Sequence, residues 1–339
     1  MALGEFDLIR RYFLREAGAG ARSEARAAAG VELGIGDDAA LLRVADGEDL
    51  VAAVDAIVAG RHFPACTAPR SIGHRALAVN LSDIAAMGAV PRWALLSLTL
   101  PAADPDWLEE FAAGLHALAD AHGVALVGGD TTAGPLNVCV QILGSAPRGT
   151  ALRRSGAAPG DLIVVTGTLG DAAAGLAIVQ AHAPGAADSP GQRELVRRFD
   201  YPVPRVEFGI AARGIASAAM DLSDGLAGDL PRLAAASGLA AAVAIERLPL
   251  SAALREYASL AEARELALSG GDDYELLLAV PPSRFAELQA AATRLNLMLT
   301  AIGELRRGSG VTWSLNGEDF TPQSSGFDHF AQASMQITV

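Results

Sequence analysis

The sequence contains no lysine, because all 26 of its basic residues are arginines. A Walker A phosphate-binding loop requires a lysine, and so does the third strand of the protein-kinase fold, so both ATP-binding architectures are excluded. Schiff-base chemistry, with or without pyridoxal phosphate, also requires a lysine amine. Nucleotide chemistry in this chain therefore has to rest on a different fold.

The sequence also has few cysteines and no long apolar runs. The two cysteines, Cys66 and Cys139, form no CxxC pair, which argues against a zinc site or a disulfide framework and favours a reducing cytoplasm. The opening segment MALGEFDLIRRYF lacks the apolar core of a signal peptide. No run approaches the ~18–20 apolar residues that span a bilayer. We expect a soluble, cytoplasmic protein with no membrane partner.

Acidic residues outnumber basic ones by 39 to 26, which gives a net charge of −13. An acidic surface repels phosphate backbones, so we expect no nucleic-acid partner. An anionic ligand would need divalent cations to screen it from the carboxylates.

The length of 339 residues suits two domains better than one simple core. Both halves mix helical and strand patterns, so the predicted class is α/β or α+β. A polar segment rich in glycine and proline, Arg148–Asp161, marks the boundary and gives domains 1–147 and 148–339.

The apolar periodicity places the elements along the chain. Helices are predicted at 5–17, 71–87, 107–122, 171–181, from 224, at 252–265 and at 283–296. Strands are predicted at 50–58, 93–100, 124–127, 137–143, 162–166, 218–221, 241–245 and 275–280, followed by a strand pair. We expect Ser71 to cap the second helix and Gly88 to end it. Loops are predicted at 18–30, in GGDTTAGP and at 182–195.

Several aspartates stand beside glycine or at the end of an apolar run, where a ligand can approach. They are Asp37, Asp38, Asp55, Asp83, Asp130, Asp221, Asp224, Asp272 and Asp273. A single aspartate in such a position is typical of a helix cap or a turn, but capping hardly explains the whole set. Asp83 lies in a helix rich in alanine and leucine, where a carboxylate needs a cation or hydrogen-bond partners. Oxygen ligands without clustered cysteine or histidine suit Mg²⁺, which usually bridges to phosphates. The placement predicts a multi-magnesium nucleotide site.

The glycine-rich segments leave two interpretations open. The GGD segments at 128–130 and 270–272 let backbone N–H groups approach a phosphate, or they are ordinary tight turns. TGTLGDAAAGLAI is better interpreted as a structural turn than as a phosphate grip. Arg154 fits either a bidentate phosphate contact or a solvated surface position.

Ten segments occur in a recognisable order: GEFDLIRRYF, GIGDDAALL, VAGRHF, ALAVNLSDIAAMGA, GGDTT, RSGAAPGD, TGTLGDAAAGLAI, DLSDGLAGDL, SGGDDYELL and GFDHF. Together they resemble the thiamine-monophosphate kinase family, in the superfamily that includes aminoimidazole ribonucleotide synthetase. The resemblance implies a mixed-sheet N-terminal domain that pairs in a homodimer, and an α+β C-terminal domain. It also implies direct transfer of the γ-phosphate of ATP to thiamine monophosphate. The acceptor phosphate is already ionised, so no general base is expected and catalysis rests on alignment and charge neutralisation.

Roles follow from the matching motif positions. The resemblance assigns Mg²⁺ binding to Asp37, Asp55, Asp83, Asp130, Asp221 and Asp224. It assigns ATP contacts to Gly129, Asp130, Arg154 and Ser223, and thiamine-phosphate contacts to His62, Asp272 and Phe327. The sequence departs from the family in three segments. Ala53-Val54-Asp55-Ala56 replaces the usual S-T-D-T, Asp272 replaces a glutamate, and Phe327 lacks a hydroxyl or indole donor.

Two alternatives stay open. The first is another enzyme of the superfamily. A selenophosphate synthetase would be expected to carry a reactive cysteine near its N-terminus, and residues 1–65 contain none. The hydrogenase-maturation dehydratase would be expected to end in cysteine, whereas the last residues here are Gln-Ile-Thr-Val. Aminoimidazole ribonucleotide synthetase does not account for GEF and GFDHF. The second alternative is a non-catalytic nucleotide or thiamine-phosphate binding protein, degenerate at Ala53-Val54.

Overall fold

The computed structural model describes residues 5–14, 30–181 and 189–327. The chain divides into two compact units. Among the described residues, the first contains those up to Ile84 together with Val90–Gly149, and the second contains Ala85–Ala89 together with those from Thr150 to 327. Each unit combines helices with β-sheet, so the expected mixed α/β class is confirmed.

The first unit is built from short N-terminal turns, two long helices and a sheet. Its elements are α1 (Glu5–Leu8), a π-helical turn (Ile9–Phe13), β1 (Val31–Leu33), β2 (Leu41–Leu42), β3 (Glu48–Val58), α2 (Pro69–Ala86), β4 (Val90–Leu100), α3 (Pro105–Ala121), β5 (Ala125–Ala133) and β6 (Asn137–Pro147).

Four of these strands form a sheet in the order β3-β6-β4-β5. All neighbours are antiparallel except β4 and β5, which are parallel. Side chains alternate across the sheet. One face is buried, as Val140 and Ile142 of β6 illustrate, and α2 packs on it, with the Ile84 δ-methyl beside Gly144. The edge strand β3 leaves the opposite face exposed.

Helices α2 and α3 cross with their backbones in contact. A Cβ atom on Gly114 would overlap the carbonyl oxygen of Arg70, and one on Gly73 would overlap the carbonyl oxygen of Phe111. Only glycine allows so close a crossing. The exposed fractions of Phe111 and of Ile72 are 0% and 1%, so the crossing lies inside the core.

The first unit departs from the predicted elements at two places. Ser71 is not an N-cap, because α2 begins at Pro69 and Ser71 is buried inside it. GGDTTAGP is not simply a loop, because β5 extends to Ala133 and pairs with β4 throughout. Tertiary pairing here overrides the turn preference of glycine and aspartate. The expected end at Gly88 is confirmed, since α2 stops at Ala86 and Gly88 has φ +62°.

The second unit is built around a larger sheet. Its elements are β7 (Leu162–Thr166), α4 (Asp171–Ala181), α5 (Pro190–Asp200), α6 (Val206–Ala212), β8 (Ala218–Leu222), α7 (Leu226–Ala236), β9 (Leu239–Ala244), a 3₁₀ turn (Ile245–Arg247), α8 (Ala252–Tyr257), α9 (Leu260–Ser269), β10 (Glu275–Val280), a 3₁₀ turn (Pro282–Arg284), α10 (Phe285–Arg294), β11 (Leu299–Arg307), β12 (Gly310–Leu315) and β13 (Glu318–Phe320).

Seven strands form this sheet in the order β13-β12-β9-β11-β7-β10-β8. Only β12 and β9 run parallel, and the other neighbours are antiparallel. Every residue of β8 and β10 is buried, and α7 packs into the same apolar cluster through Leu230 and Leu233. The ends of β8 and β10 carry the sequence motifs that matter for function.

Three predicted segments of the chain need correction. The helix predicted at 252–265 is two helices, because Ser259 starts α9 with a capping box to Glu262. Residues 190–195 belong to α5 rather than to a loop. The N-terminal helix predicted at 5–17 is four α-helical residues followed by the π-helical turn. Residues 15–29, 182–188 and 328–339, which include the predicted loop at 18–29 and the end of GFDHF, lie outside the described residues.

In the described part of the chain, no helix combines the length and the apolar character that crossing a bilayer requires.

We predict that Gly114→Ala destabilises the protein, although the same change in an open helix would stabilise it by ~1 kcal/mol. The added methyl group must displace the Arg70 carbonyl, and such overpacking costs about 1–3 kcal/mol. Urea unfolding measures the free energy of unfolding. The exposed Ala117 in the same helix is the control, because Ala117→Gly should lower stability by only ~1 kcal/mol. A Gly114→Ala variant as stable as the wild type would contradict the crossing.

Candidate active site

A cavity of about 830 Å³ opens in the first unit. Asp37 and Asp38, which precede β2, line it together with Gly129 and Asp130 of β5. The Asp37 Oδ1 atom accepts a 2.8 Å hydrogen bond from the backbone N–H of Asp38. Two of the predicted metal ligands, Asp37 and Asp130, therefore face one cavity although they are far apart in sequence.

Gly129 allows β5 to pair closely with β4 at this cavity. Its φ is +150°, and a Cβ atom there would overlap the carbonyl oxygen of Leu96. Asp130 is the next residue and stands opposite Ser97 of β4, which also lines the cavity. The first GGD segment is thus a stretch of strand that needs glycine for its own packing, not a tight turn.

Asp55 and Asp83 lie at another place in the first unit, where β3 meets α2. The buried side chain of Asn80 joins the two elements. Its Oδ1 atom accepts a 3.0 Å hydrogen bond from the Asp55 N–H, and its Nδ2 atom donates to the carbonyl of Ala76 at 3.0 Å. Asp83 lies about one helical turn further along the same helix face. Asn80 was missed by the sequence analysis, although a buried amide in an apolar helix is the same signal that singled out Asp83.

His62 follows the end of β3. Its Nδ1 atom accepts a 2.9 Å hydrogen bond from the N–H of Val58, so the proton of the neutral ring is on Nε2. The ring is therefore fixed in one tautomer, with an N–H donor at the Nε2 position.

In the second unit, two loops and the last described segment come together at the ends of β8 and β10. The N–H of Asp272 donates to the carbonyl of Ser223 at 2.8 Å, and the N–H of Phe327 donates to the carbonyl of Asp224 at 3.0 Å. The N–H of Tyr274 donates to the carbonyl of Leu222 at 2.9 Å. Residues assigned to ATP and to thiamine phosphate by resemblance are therefore direct neighbours.

The loop before β10 has an unusual backbone. Asp272 has φ +70° and Tyr274 has φ +49°, a region that non-glycine residues rarely adopt and that often marks functional sites. The Tyr274 hydroxyl donates a 3.1 Å hydrogen bond to the Asp272 Oδ1 atom. The conformation fixes the direction of the Asp272 carboxylate.

A buried ion cluster supports this loop from behind, and its centre is Glu275, whose exposed fraction is 0%. Arg205 makes a two-point contact with the Glu275 carboxylate at 2.7 and 2.5 Å, and Arg198 donates to it at 2.9 Å. Thr166 donates its hydroxyl to Glu275 at 2.6 Å. Burial opposes ionisation of Glu275, but the two guanidinium groups hold its pKa below the ordinary value. No local pattern in the sequence predicts this pairing of Glu275 with Arg198 and Arg205.

Asp273 completes the cluster from the other side of the loop. Its carboxylate accepts hydrogen bonds from the N–H groups of Gly170 at 2.7 Å and Ala172 at 3.3 Å, at the start of α4. The positive end of α4 is therefore occupied by the protein's own carboxylate. This confirms that TGTLGDAAAGLAI is a structural turn rather than a phosphate grip.

Asp229, in the first turn of α7, organises the loop that carries Ser223 and Asp224. Its buried carboxylate accepts hydrogen bonds from the N–H groups of both residues, at 3.1 and 3.0 Å. Burial and the negative charges of Asp224 and Asp221 raise the pKa of Asp229 to about 7. The sequence analysis missed Asp229, although its position beside glycine in GLAGDL matches the pattern of the other aspartates.

Arg154 is exposed in the segment before β7. Its backbone carbonyl lies 3.5 Å from the hydroxyl of Ser237, at the end of α7. This geometry leaves both interpretations of Arg154, phosphate contact and solvated surface, open.

The donor groups of both units suit Mg²⁺. They are carboxylate oxygens, and in the second unit the pKa of Asp229 is raised first by burial and then by the negative charges of Asp224 and Asp221, which a nearby cation would offset. Across residues 5–14, 30–181 and 189–327, no three histidine, cysteine or acidic side chains are grouped closely enough to hold a metal ion by themselves. Mg²⁺ is commonly held by one or two carboxylates with water and substrate phosphates, so the residues present fit it as an ion that enters with a nucleotide.

Comparison with known proteins defines the class first. Residues 36–146 match the AIR synthase related protein, N-terminal domain, and residues 158–315 match the corresponding C-terminal domain. Both compact units thus carry the fold of the AIR synthase related proteins.

Individual relatives are more specific. Thiamine-monophosphate kinase from Salmonella typhimurium is 45% identical over 332 residues, covering 98% of this chain and 99% of the relative. The crystal structure of thiamine-monophosphate kinase from Stenotrophomonas maltophilia K279a is 46% identical with a TM-score of 0.82, covering 91% of this chain and 98% of that one. AaThiL complexed with AMPPCP and TMP is 30% identical with a TM-score of 0.75, covering 94% and 100%. The chain belongs to the thiamine-monophosphate kinase family.

We predict that Thr166→Val, which keeps the shape of the side chain, lowers the free energy of unfolding by about 1–3 kcal/mol. The change removes the donor to Glu275 and the acceptor of the 2.8 Å hydrogen bond from the Leu276 N–H, and both groups are buried. Denaturant unfolding measures the effect. Thr300→Val on the neighbouring strand β11 is the matched control and should change stability by less than about 0.5 kcal/mol. Equal effects of the two substitutions would argue against a special role of the cluster.

Proposed function

We propose that this chain transfers the γ-phosphoryl group of ATP to the phosphate of thiamine monophosphate, giving thiamine diphosphate and ADP. The observation that carries the proposal is the meeting of two loops in the second unit. Ser223 and Asp224, matched to ATP and metal binding, are hydrogen-bonded to Asp272 and Phe327, matched to thiamine-phosphate binding. A transfer in line between two phosphates requires donor and acceptor groups to lie side by side.

The acceptor oxygen needs no general base. A phosphate monoester has its second pKa near 6, so the attacking oxygen is already ionised at neutral pH. What the protein has to supply is position. Asp229 fixes the backbone that carries Ser223 and Asp224, and the buried ion cluster fixes the loop that carries Asp272.

Thiamine monophosphate offers a cationic ring and an anionic phosphate. We assign the ring to the Asp272 carboxylate and to the aromatic face of Phe327, since a cation is attracted by both. His62 belongs to the first unit, where the hydrogen bond from the Val58 N–H to Nδ1 holds its ring in the form that offers an Nε2–H donor.

The carboxylates of Asp37, Asp55, Asp83 and Asp130 in the first unit, and of Asp221 and Asp224 in the second, are the proposed Mg²⁺ ligands. When bound, Mg²⁺ supplies neutralisation of the phosphate charges. In the first unit, Asp37 and Asp130 line the cavity, and the backbone of Asp55 is bound by the side chain of Asn80.

We also propose a homodimer in which a second copy covers the open face of the first sheet. Leu50, Val54 and Val58 are spaced by four residues on the edge strand β3, and their exposed fractions are 52%, 57% and 36%. An exposed apolar row of this kind is typical of an interface. Both cysteines are free thiols, which suits the reducing cytoplasm where we place the reaction.

A direct assay tests the function. Purified protein with ATP, thiamine monophosphate and Mg²⁺ should form thiamine diphosphate, and a chelator should abolish the product. We predict that Asp130→Asn and Asp83→Asn each lower kcat by ~100-fold or more while the far-UV circular dichroism is unchanged, because each removes a charged oxygen from a site for phosphate-bound metal. Binding of both substrates without turnover by the wild type would favour the non-catalytic alternative.

The departure at Ala53-Val54 gives a sharper prediction about the metal requirement. Ala53 and Asp55 are both odd-numbered on β3 and oppose the buried Ile142 and Val140, so they share a face, whereas Val54 is on the opposite face. Ala53→Ser therefore adds a hydroxyl on the side of Asp55 and should shift the Mg²⁺ activation curve to lower concentration, about two- to five-fold.

Val54→Thr is the matched control, because its hydroxyl points to the other face and should leave the Mg²⁺ curve unchanged. The half-saturating Mg²⁺ concentration at fixed ATP is the measurement. If Val54→Thr shifted the curve and Ala53→Ser did not, the face of β3 that carries Ala53 and Asp55 would not be the face that meets the metal.

A further inference from the structure

Arg232, on the exposed side of α7, binds two carboxylates with one nitrogen atom. Its Nη1 atom lies 2.5 Å from the Asp224 Oδ2 atom and 2.8 Å from the Asp229 Oδ1 atom. Its side chain is 48% exposed, while that of Asp229 is fully buried and that of Asp224 is 26% exposed. The guanidinium group therefore links the buried carboxylate to the partly open one.

The two carboxylates are not equivalent. The Asp229 Oδ2 atom is already occupied by the N–H groups of Ser223 and Asp224, so Asp229 is part of the loop's framework. The Asp224 carboxylate receives Arg232 on Oδ2, the kind of oxygen that a metal ion would take. A positive side chain thus stands where the proposed function requires a divalent cation to bind.

We propose that Arg232 is a positioning residue that competes with the divalent cation for the Asp224 carboxylate. The inference rests on the proposed function, because it takes Asp224 as a metal ligand. Without a metal ion, Arg232 neutralises Asp224 and keeps the loop in place. When an ion binds, Arg232 gives up Asp224 and keeps its second contact with Asp229, so the guanidinium group stays close by.

Competition has a measurable consequence. Removing the positive charge of Arg232 frees the Asp224 oxygen and makes the net charge around Asp224 and Asp229 more negative. A divalent cation should therefore bind more tightly. A unit charge a few ångströms away in a solvated setting changes an ionic affinity on the order of five-fold. A residue with a purely structural role would have the opposite effect, because loosening the loop weakens metal binding.

The experiment titrates chelator-treated protein with Mn²⁺ alone, without nucleotide, by calorimetry. Arg232→Gln and Arg232→Met should each bind Mn²⁺ about five-fold more tightly than the wild type at the site that Asp224→Asn removes. Arg284→Gln is the matched control, since Arg284 is a similarly exposed arginine of the second unit paired with Glu287 three residues on. Its Mn²⁺ affinity should equal that of the wild type.

The double variant tests whether the gain depends on Asp224. Because Asp224→Asn removes the site, adding Arg232→Gln in that background should not restore Mn²⁺ binding there. The proposal is overturned if the Arg232 variants bind Mn²⁺ as tightly as the wild type or more weakly, or if Arg284→Gln gives the same gain. It is also overturned if none of the proteins binds Mn²⁺, or if a thermal melt shows that neither Arg232 variant folds. Formation of thiamine diphosphate by the wild type checks the proposed function separately. An active wild type with unchanged Mn²⁺ binding in the variants refutes only the competition.

Discussion

The contact between Glu275 and its two arginines is the interaction on which the functional end of the second unit depends. Glu275 begins β10, and burying its charge is tolerable only because Arg198 and Arg205 reach it from α5 and from the start of α6. Breaking a buried ion pair leaves an uncompensated charge, which is far costlier than losing a surface pair. The loop before Glu275 keeps its strained backbone because its end is fixed in this way.

Charge is arranged differently on the two sides of that loop, behind it at Glu275 and Asp273 and in front of it at Asp224 and Asp229. Behind it, Glu275 is matched by two arginines, and Asp273 accepts hydrogen bonds from backbone N–H groups although burial raises its pKa to about 8. In front, Asp224 and Asp229 share Arg232, and burial together with the negative charges of Asp224 and Asp221 raises the pKa of Asp229 to about 7. The divalent cation proposed for the front would reduce the negative charge that a phosphate meets there, in a chain whose net charge is −13.

Much of this could be predicted from the sequence. The aspartates beside glycine were selected from their placement, and the mixed α/β class followed from the alternation of helical and strand patterns. The polar side chains that hold those aspartates were not found. Asn80 and Glu275 bind groups that lie 25 and 70 residues away in the chain, beyond any local sequence window. Asp229 binds N–H groups only five and six residues away, but a sequence pattern does not show that its carboxylate is buried beneath them. The extension of β5 through GGDTTA was also hidden, because strand pairing overrode local turn preference.

The sequence by itself determined the chemistry available to this protein: carboxylate oxygens without lysine or clustered cysteine, and motifs shared with the thiamine-monophosphate kinase family. Only the tertiary structure decided which carboxylates face a ligand and which serve the framework. Asp272 and Asp273 are adjacent in the chain, yet one is directed by Tyr274 and the other caps α4. The reason is physical, since a carboxylate's role depends on its partners and its burial. Asp273 is buried against N–H groups that lie 103 and 101 residues away in the chain, and the backbone of Asp272 is bound to the distant Ser223.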